Sequence, residues 1–267
     1  MTQKQSREYG CALVTGATRG IGLAFASELA RRGCGLVVVA RGESGLLAVA
    51  ERLRAEGAAE VVTIVCDLSA EGSAAWLHEE CAKRGLEVDL LVNNAGMFAY
   101  CDQRNMEPER LQTMLRLNVT APTELSHLFV ADMVQRGRGA IVNVSSYAAL
   151  MAWPGLAMYS ATKSYLDTYT RALAHEVRES GVRVLSVMPA GVATDLYGLP
   201  EKWQRVGLRC GALWSAERVA RGALRALARG NRRYIPGVAN RLFVPTVRHL
   251  PKGLILFLRH KTIAFQK

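Results

Sequence analysis

The chain has 267 residues, half of them apolar, which is enough to bury a full core and fits one large α/β domain as easily as two small ones. No apolar run approaches the roughly 20 residues that a membrane-spanning helix needs, and residues 253–258, the longest candidate near the end, are far too few. Residues 1–9 are polar and hold no apolar signal core, so the expectation is a protein made and kept in the cytoplasm. The net charge of +11 is confined to one quarter of the chain: residues 201–267 carry 15 Lys and Arg against two acids, whereas residues 1–200 carry 19 against 21. Cys11, Cys34, Cys66, Cys81, Cys101 and Cys210 form no Cys-x-x-Cys pair and have no histidine at ligand spacing, so reduced thiols and no metal site are expected.

In chain order, short runs rich in Val, Ile and Leu occur at 11–15, 36–40, 61–66, 90–92, 140–144 and 182–187. They do not alternate with polar residues, which is how parallel strands buried on both faces read. Stretches with helical spacing lie between or after them at 21–32, 46–56, 74–84, 109–135 and 156–179. Gly33, Gly57, Gly85, Gly137 and Gly181 follow these stretches, where a helix C-terminus favours positive φ. The repeated β-α units predict a single Rossmann-type doubly wound parallel sheet flanked by helices, spanning residues 1–267 without a linker. Glycines and prolines interrupt 190–214, predicting that some or all of it is a long loop, and a basic amphipathic extension is expected over 240–267.

The first strand runs into Thr15-Gly16-Ala17-Thr18-Arg19-Gly20-Ile21-Gly22, directly ahead of the first helix. Backbone N–H groups at a helix N-terminus form an anion site, and glycine lets the backbone approach a pyrophosphate. In this arrangement, Thr-Gly-x-x-x-Gly-x-Gly resembles the cofactor signature of the short-chain dehydrogenases/reductases. Three further matches follow in that family's order: Asn93-Asn94-Ala95-Gly96, Ser145-Ser146, and Tyr159-x-x-x-Lys163. The resemblance spans about residues 10–195. It implies a cofactor site made of Gly16, Thr18, Arg19, Gly20, Ile21, Gly22, Arg41, Asp67, Leu68, Asn93, Ala95, Gly96, Tyr159, Lys163, Val192 and Thr194.

The cofactor type is read from the end of the second strand. An NAD site places an acid there for the ribose 2′-hydroxyl. Here Ala40 is followed by Arg41, and Arg19 stands in the glycine turn. Guanidinium groups grip a 2′-phosphate with forked hydrogen bonds, so NADP(H) is expected.

Hydride transfer to a carbonyl needs an aligned cofactor, a polarised oxygen and a delivered proton. Tyr159 is the expected proton donor. A free tyrosine titrates near 10, and a nearby cation lowers that value. Lys163 lies one helical turn on, on the same face. The resemblance implies that Ser146, thirteen residues before Tyr159, holds the substrate oxygen. It also implies that Asn118 holds a water behind Lys163. Residues 189–194 resemble the segment that closes over the nicotinamide, with Ala190 standing where the family has glycine.

Leu150, Met151, Trp153, Leu156, Leu196, Tyr197, Leu199 and Trp203 form an apolar, bulky set beyond the tyrosine. Trp153 and Leu196, with Ser146 and Tyr159, are the expected substrate contacts. A lipophilic secondary alcohol or ketone, hydroxysteroid-like or long-chain, fits such a set. The same residues equally suit a subunit contact. Reduction of a 3-ketoacyl thioester is the alternative enzyme reading, and an NADP(H)-sensing regulator without turnover is the alternative of another class. The family implies a homodimer or homotetramer. The tail is read as a peripheral membrane contact or a lid, and no nucleic-acid motif is present.

Overall fold

The computed structural model describes residues 9–192, 202, 205, 206, 213–242, 251, 253–255 and 257. In chain order its elements are β1 (Cys11–Thr15), α1 (Gly20–Ala30), β2 (Gly35–Ala40), α2 (Glu43–Ala55), β3 (Val61–Val65), α3 (Ser73–Lys83), β4 (Leu90–Asn93), α4 (Pro108–Leu115) and α5 (Ala121–Arg136). They continue with β5 (Gly139–Val144), α6 (Ala157–Glu176), β6 (Val182–Val187), α7 (Ala216–Ala228), β7 (Arg233–Tyr234) and α8 (Val238–Leu242). The sheet is parallel with order β3-β2-β1-β4-β5-β6-β7. It therefore has the doubly wound form, and the strand order reverses direction between β1 and β4. Ligand crevices in such sheets open at the carboxyl ends of the strands on either side of that switch.

Burial on both faces explains the uninterrupted apolar strands. On one face, Ala12, Val14, Leu36, Val38, Leu90 and Val92 pack with α1, α2 and α7. On the other, Leu13, Val37, Val39, Leu91 and Ile141 pack with α3, α5 and α6. Successive residues of one strand thus serve opposite layers, which demands apolar side chains at every position. Gly33, Gly57, Gly85, Gly137 and Gly181 all adopt positive φ, as their places after the helical stretches predict.

Two regions differ from the sequence reading. The helix expected over 109–135 is divided: Arg116–Thr120 forms a π turn between α4 and α5. Periodicity cannot reveal one extra residue in one turn, and such bulges gather at functional sites. Second, α7 and β7 lie beyond the last predicted strand. Nothing in the two-residue strand Arg233–Tyr234 stands out as apolar, and it is defined only by its pairing with β6. Within 190–214, expected to be a long loop in part or in whole, Lys202, Arg205 and Val206 are helical. Most of 190–214 and of the tail from 240 lies outside the described residues. Among those described, no helix is long and apolar enough to cross a membrane.

Candidate active site

A cavity of about 590 Å³ opens at the carboxyl ends of β1, β2, β4, β5 and β6. Its walls include Gly16, Thr18, Arg19, Gly20, Ile21, Arg41, Asp67, Leu68, Ala95, Gly96, Ser146, Tyr159, Lys163 and Val192. The sequence-expected residues thus converge from seven separate segments onto one space. Gly22 and Asn118 stand behind its wall, and Trp153 is not among its lining residues. Thr194, Leu196, Tyr197, Leu199 and Trp203 lie outside the described residues.

At one end the wall is mostly backbone. The N-terminus of α1 faces the cavity, and no side chain caps its first-turn N–H groups. Those donors are free to meet an anion. Gly22 packs edge-on against the turn: a Cβ there would stand 2.3 Å from the Gly16 carbonyl oxygen. Its role is to close the turn, not to line the cavity. Thr15 fastens the turn to the next strand, because its Oγ1 accepts from the Asn94 and Ala95 N–H groups at 3.0 Å each. Asn94 Nδ2 donates back to the Thr15 and Gly16 carbonyls.

The Asn93 side chain turns away from the cavity. It sits on β4 opposite Asn143 of β5, and its amide donates to Asn143 Oδ1 at 2.8 Å and Ser126 Oγ at 3.1 Å. The pleat sends its side chain into the α5–α6 layer, away from the cavity. Asn94, one residue on, takes the place at the wall.

Arg19 and Arg41 are both exposed at this end, and neither has a carboxylate bonded to it among the described residues. Ser44 and Gly45, in the first turn of α2, line the cavity beside Arg41. Asp67 lies opposite; hydrogen bonds from the Ser69 hydroxyl and N–H hold its carboxyl below the usual range, with a smaller contribution from Arg41. Cys66 also lines this end, and burial raises its thiol to about 11, so it stays protonated near neutrality.

At the other end stand Ser146, Tyr159 and Lys163, each 5 % exposed or less. Ser146 lies two residues beyond β5 in extended geometry, and its Oγ accepts from the Ala148 N–H at 3.1 Å. That bond leaves its own proton directed elsewhere, and no acceptor for it is present among the described residues. Ser145 Oγ instead donates to the Lys163 carbonyl at 2.6 Å, tying β5 to α6. Lys163 Nζ donates to the Val144 carbonyl at 3.0 Å and lies 5.9 Å from the Tyr159 ring centroid. Burial lowers the lysine to about 8, so the cation still predominates near neutrality.

Asn118 lies in the π turn and is 1 % exposed. Its side chain is fully engaged: Oδ1 accepts from the Met97 N–H at 2.9 Å, and Nδ2 donates to the Met97 carbonyl and to Thr162. A Cβ on Gly96 would stand 3.1 Å from Asn118 Oδ1 and 3.3 Å from Lys163 Nζ, so any side chain there would push these two groups aside by a few tenths of an ångström.

Beyond Tyr159 the surroundings are apolar. Met97, Phe98, Ala99, Met106, Met114, Ala148, Leu156 and Met158 cluster with it, and Phe98 meets its ring edge-on at 5.0 Å. Of these the sequence reading named only Leu156. The signal was the run of Met97 and Phe98 directly after Asn93-Asn94-Ala95-Gly96. Leu150 instead packs with Met188 and Ile235.

The family described as short chain dehydrogenase matches residues 10–205. The chain is similar to a human protein named inactive hydroxysteroid dehydrogenase-like protein 1, with 37 % identity over 71 % of this chain and 58 % of that protein. It is similar also to the human very-long-chain 3-oxoacyl-CoA reductase, with 35 % identity over 69 % of this chain and 60 % of that protein. The chain therefore spans about three fifths of the length of these curated relatives. Among solved structures, a short-chain dehydrogenase from Sphingobium yanoikuyae in complex with NADPH aligns with a TM-score of 0.77 at 29 % identity, covering 95 % of both chains. With the glycine turn, the serine, tyrosine and lysine gathered in one cavity and the match running through all of them, the chain belongs to the short chain dehydrogenase family.

Proposed function

We propose that the protein is an NADP(H)-dependent oxidoreductase that interconverts a lipophilic ketone and its secondary alcohol. The observation that carries this reading is the single cavity, which joins an uncapped helix N-terminus flanked by Arg19 and Arg41 to a buried Ser146–Tyr159–Lys163 group. A nicotinamide bound along this cavity would supply or accept the hydride. Ser146 donates its free proton to the substrate oxygen and fixes its position. Tyr159 transfers a proton to or from that oxygen. Lys163 stabilises the phenolate as a nearby cation. Because the Asn118 side chain is engaged with Met97 and Thr162, its part in a water-borne proton path falls to its backbone carbonyl, in a π turn whose bonding pattern is locally shifted.

Arg19, Arg41 and Ser44 support a 2′-phosphate and hence NADP(H). Met97 on the wall, with a methionine-rich cluster packed behind it, supports a bulky lipophilic substrate, because thioether side chains repack around irregular apolar shapes. Reduction of a 3-ketoacyl thioester is the second reading, favoured by the likeness to 3-oxoacyl-CoA reductases. NADPH fluorescence followed during turnover of steroid ketones, aliphatic ketones and ketoacyl thioesters separates the two. Binding of NADPH without turnover on any of these would replace both with a cofactor-sensing role.

A further inference from the structure

The basic excess of the last quarter has a described, folded part. Helix α7 buries Val219, Ala220, Ala223, Leu224 and Leu227 against the sheet and α1, and it turns Arg218, Arg221, Arg225 and Arg229 outward. These follow at intervals of three and four residues, so they form one stripe. Burial pushes the Tyr234 phenol up, and the nearby Arg241, Arg225 and Arg218 guanidinium groups work against that rise. Arg218 stacks over Trp214 at 4.6 Å, and Trp214 packs beside Gly237, at the start of α8. On α8, Val238 is 69 % and Leu242 73 % exposed. The acids nearby are few. Glu28 of α1 pairs with Arg221 but is shared with Arg31 and Arg32, and Glu217 stands exposed at the start of α7. Among the described residues, Arg218, Arg225 and Arg241 have no carboxylate partner.

We infer that the outer face of α7 with α8 docks on an anionic phospholipid bilayer, with Arg218, Arg221, Arg225 and Arg241 on the headgroups and Val238 and Leu242 in the interface. Charge complementarity selects an anionic surface, and exposed aliphatic side chains beside the arginines select a bilayer over a soluble polyanion. The face also adjoins the cavity: Trp214 bridges in register with Val192, which lines it, and the Trp214 N–H donates to the Gly191 carbonyl at 2.9 Å. A lipophilic substrate dissolved in the bilayer would thus meet the protein near its cavity. The docking itself stands on charge and exposure and does not require the substrate reading.

Co-sedimentation of the full chain with phosphatidylcholine vesicles, with and without phosphatidylserine, tests this. Binding is expected only with phosphatidylserine, falling as salt rises. Replacing Arg218→Gln, Arg225→Gln and Arg241→Gln together lowers partitioning by about fivefold per arginine. Val238→Ser with Leu242→Ser lowers it while leaving every charge in place, and unchanged NADPH binding in both variants shows that the fold survives. Equal binding to neutral vesicles, no binding at all, or wild-type binding by the triple variant would overturn the inference. So would full displacement from vesicles by a soluble polyanion such as heparin with no effect of the Val238 and Leu242 changes. Because no substrate enters this assay, its failure is distinct from failure of the proposed reaction.

Discussion

At its glycine-turn end the cavity is walled by backbone, short polar side chains and two exposed arginines, whereas at its tyrosine end it is walled by Ser146, Tyr159, Lys163 and Met97, with a methionine-rich cluster packed behind Met97 and Tyr159. The first end is fixed by strand ends and tight turns, where a single added Cβ at Gly22 would strike a carbonyl oxygen at 2.3 Å. Flexible thioethers at the second end can yield to a ligand's shape. The difference teaches that one end suits a ligand of constant shape and the other suits one of variable shape. It also predicts that substitutions at the two ends act on different measurements.

Lys163→Met should have the largest effect, lowering kcat/KM by about a thousandfold. The change removes the cation beside Tyr159 and leaves the buried Val144 carbonyl without its donor. Steady-state NADPH oxidation measures it, and a loss under tenfold would remove Lys163 from the chemistry. Next comes Arg41→Ala, which should weaken NADPH relative to NADH by about tenfold to a hundredfold, the range for a charge-assisted hydrogen bond. Fluorescence titration with both cofactors reads this, and an unchanged ratio would leave the phosphate to Arg19.

The pH profile should show a comparable but graded effect. Below about 8 the Lys163 cation is present, and it is lost as pH rises through that value. For ketone reduction, kcat/KM should therefore fall above pH 8 by up to about tenfold per unit. The stability linkage has the opposite sign. The folded lysine titrates near 8 and the unfolded one near 10.5, so between these values the unfolded chain holds more protons and stability from this residue rises with pH. A flat rate profile across that window would contradict the lysine's role. Smallest is Met97→Ala, which should change KM several-fold and unequally across ketones of different bulk, while NADPH affinity stays fixed. A uniform loss across all substrates would mean that Met97 only supports the packing around Tyr159.

Much of this was legible in the sequence, for identifiable reasons. Strands buried on both faces require unbroken apolar runs, so β1 and β6 were read with correct bounds. Positive φ after a helix favours glycine, which marked the helix ends. The paired spacing of Tyr159 and Lys163 is a property of one helix and needs no tertiary information. What the sequence hid depends on pairing or on contacts between distant segments. β7 exists because Ser186 and Val187 offer it an edge. Met97, Met106, Met114 and Met158 are separated along the chain and meet only in the folded state. The Asn93 placement was accessible: Leu91 and Asn93 share one face of β4, and Leu91 belongs to the α5–α6 layer. Pleat alternation therefore sends Asn93 inward and leaves Asn94 for the cavity.

The central claim is that this one cavity carries out proton-coupled hydride transfer through Tyr159, and Tyr159→Phe tests it most directly. The substitution removes one hydroxyl and keeps the ring that packs against Phe98. Turnover of the best ketone in the panel should fall by about a hundredfold to ten-thousandfold, with NADPH affinity unchanged by fluorescence titration. Near-wild-type turnover in that variant would contradict the account.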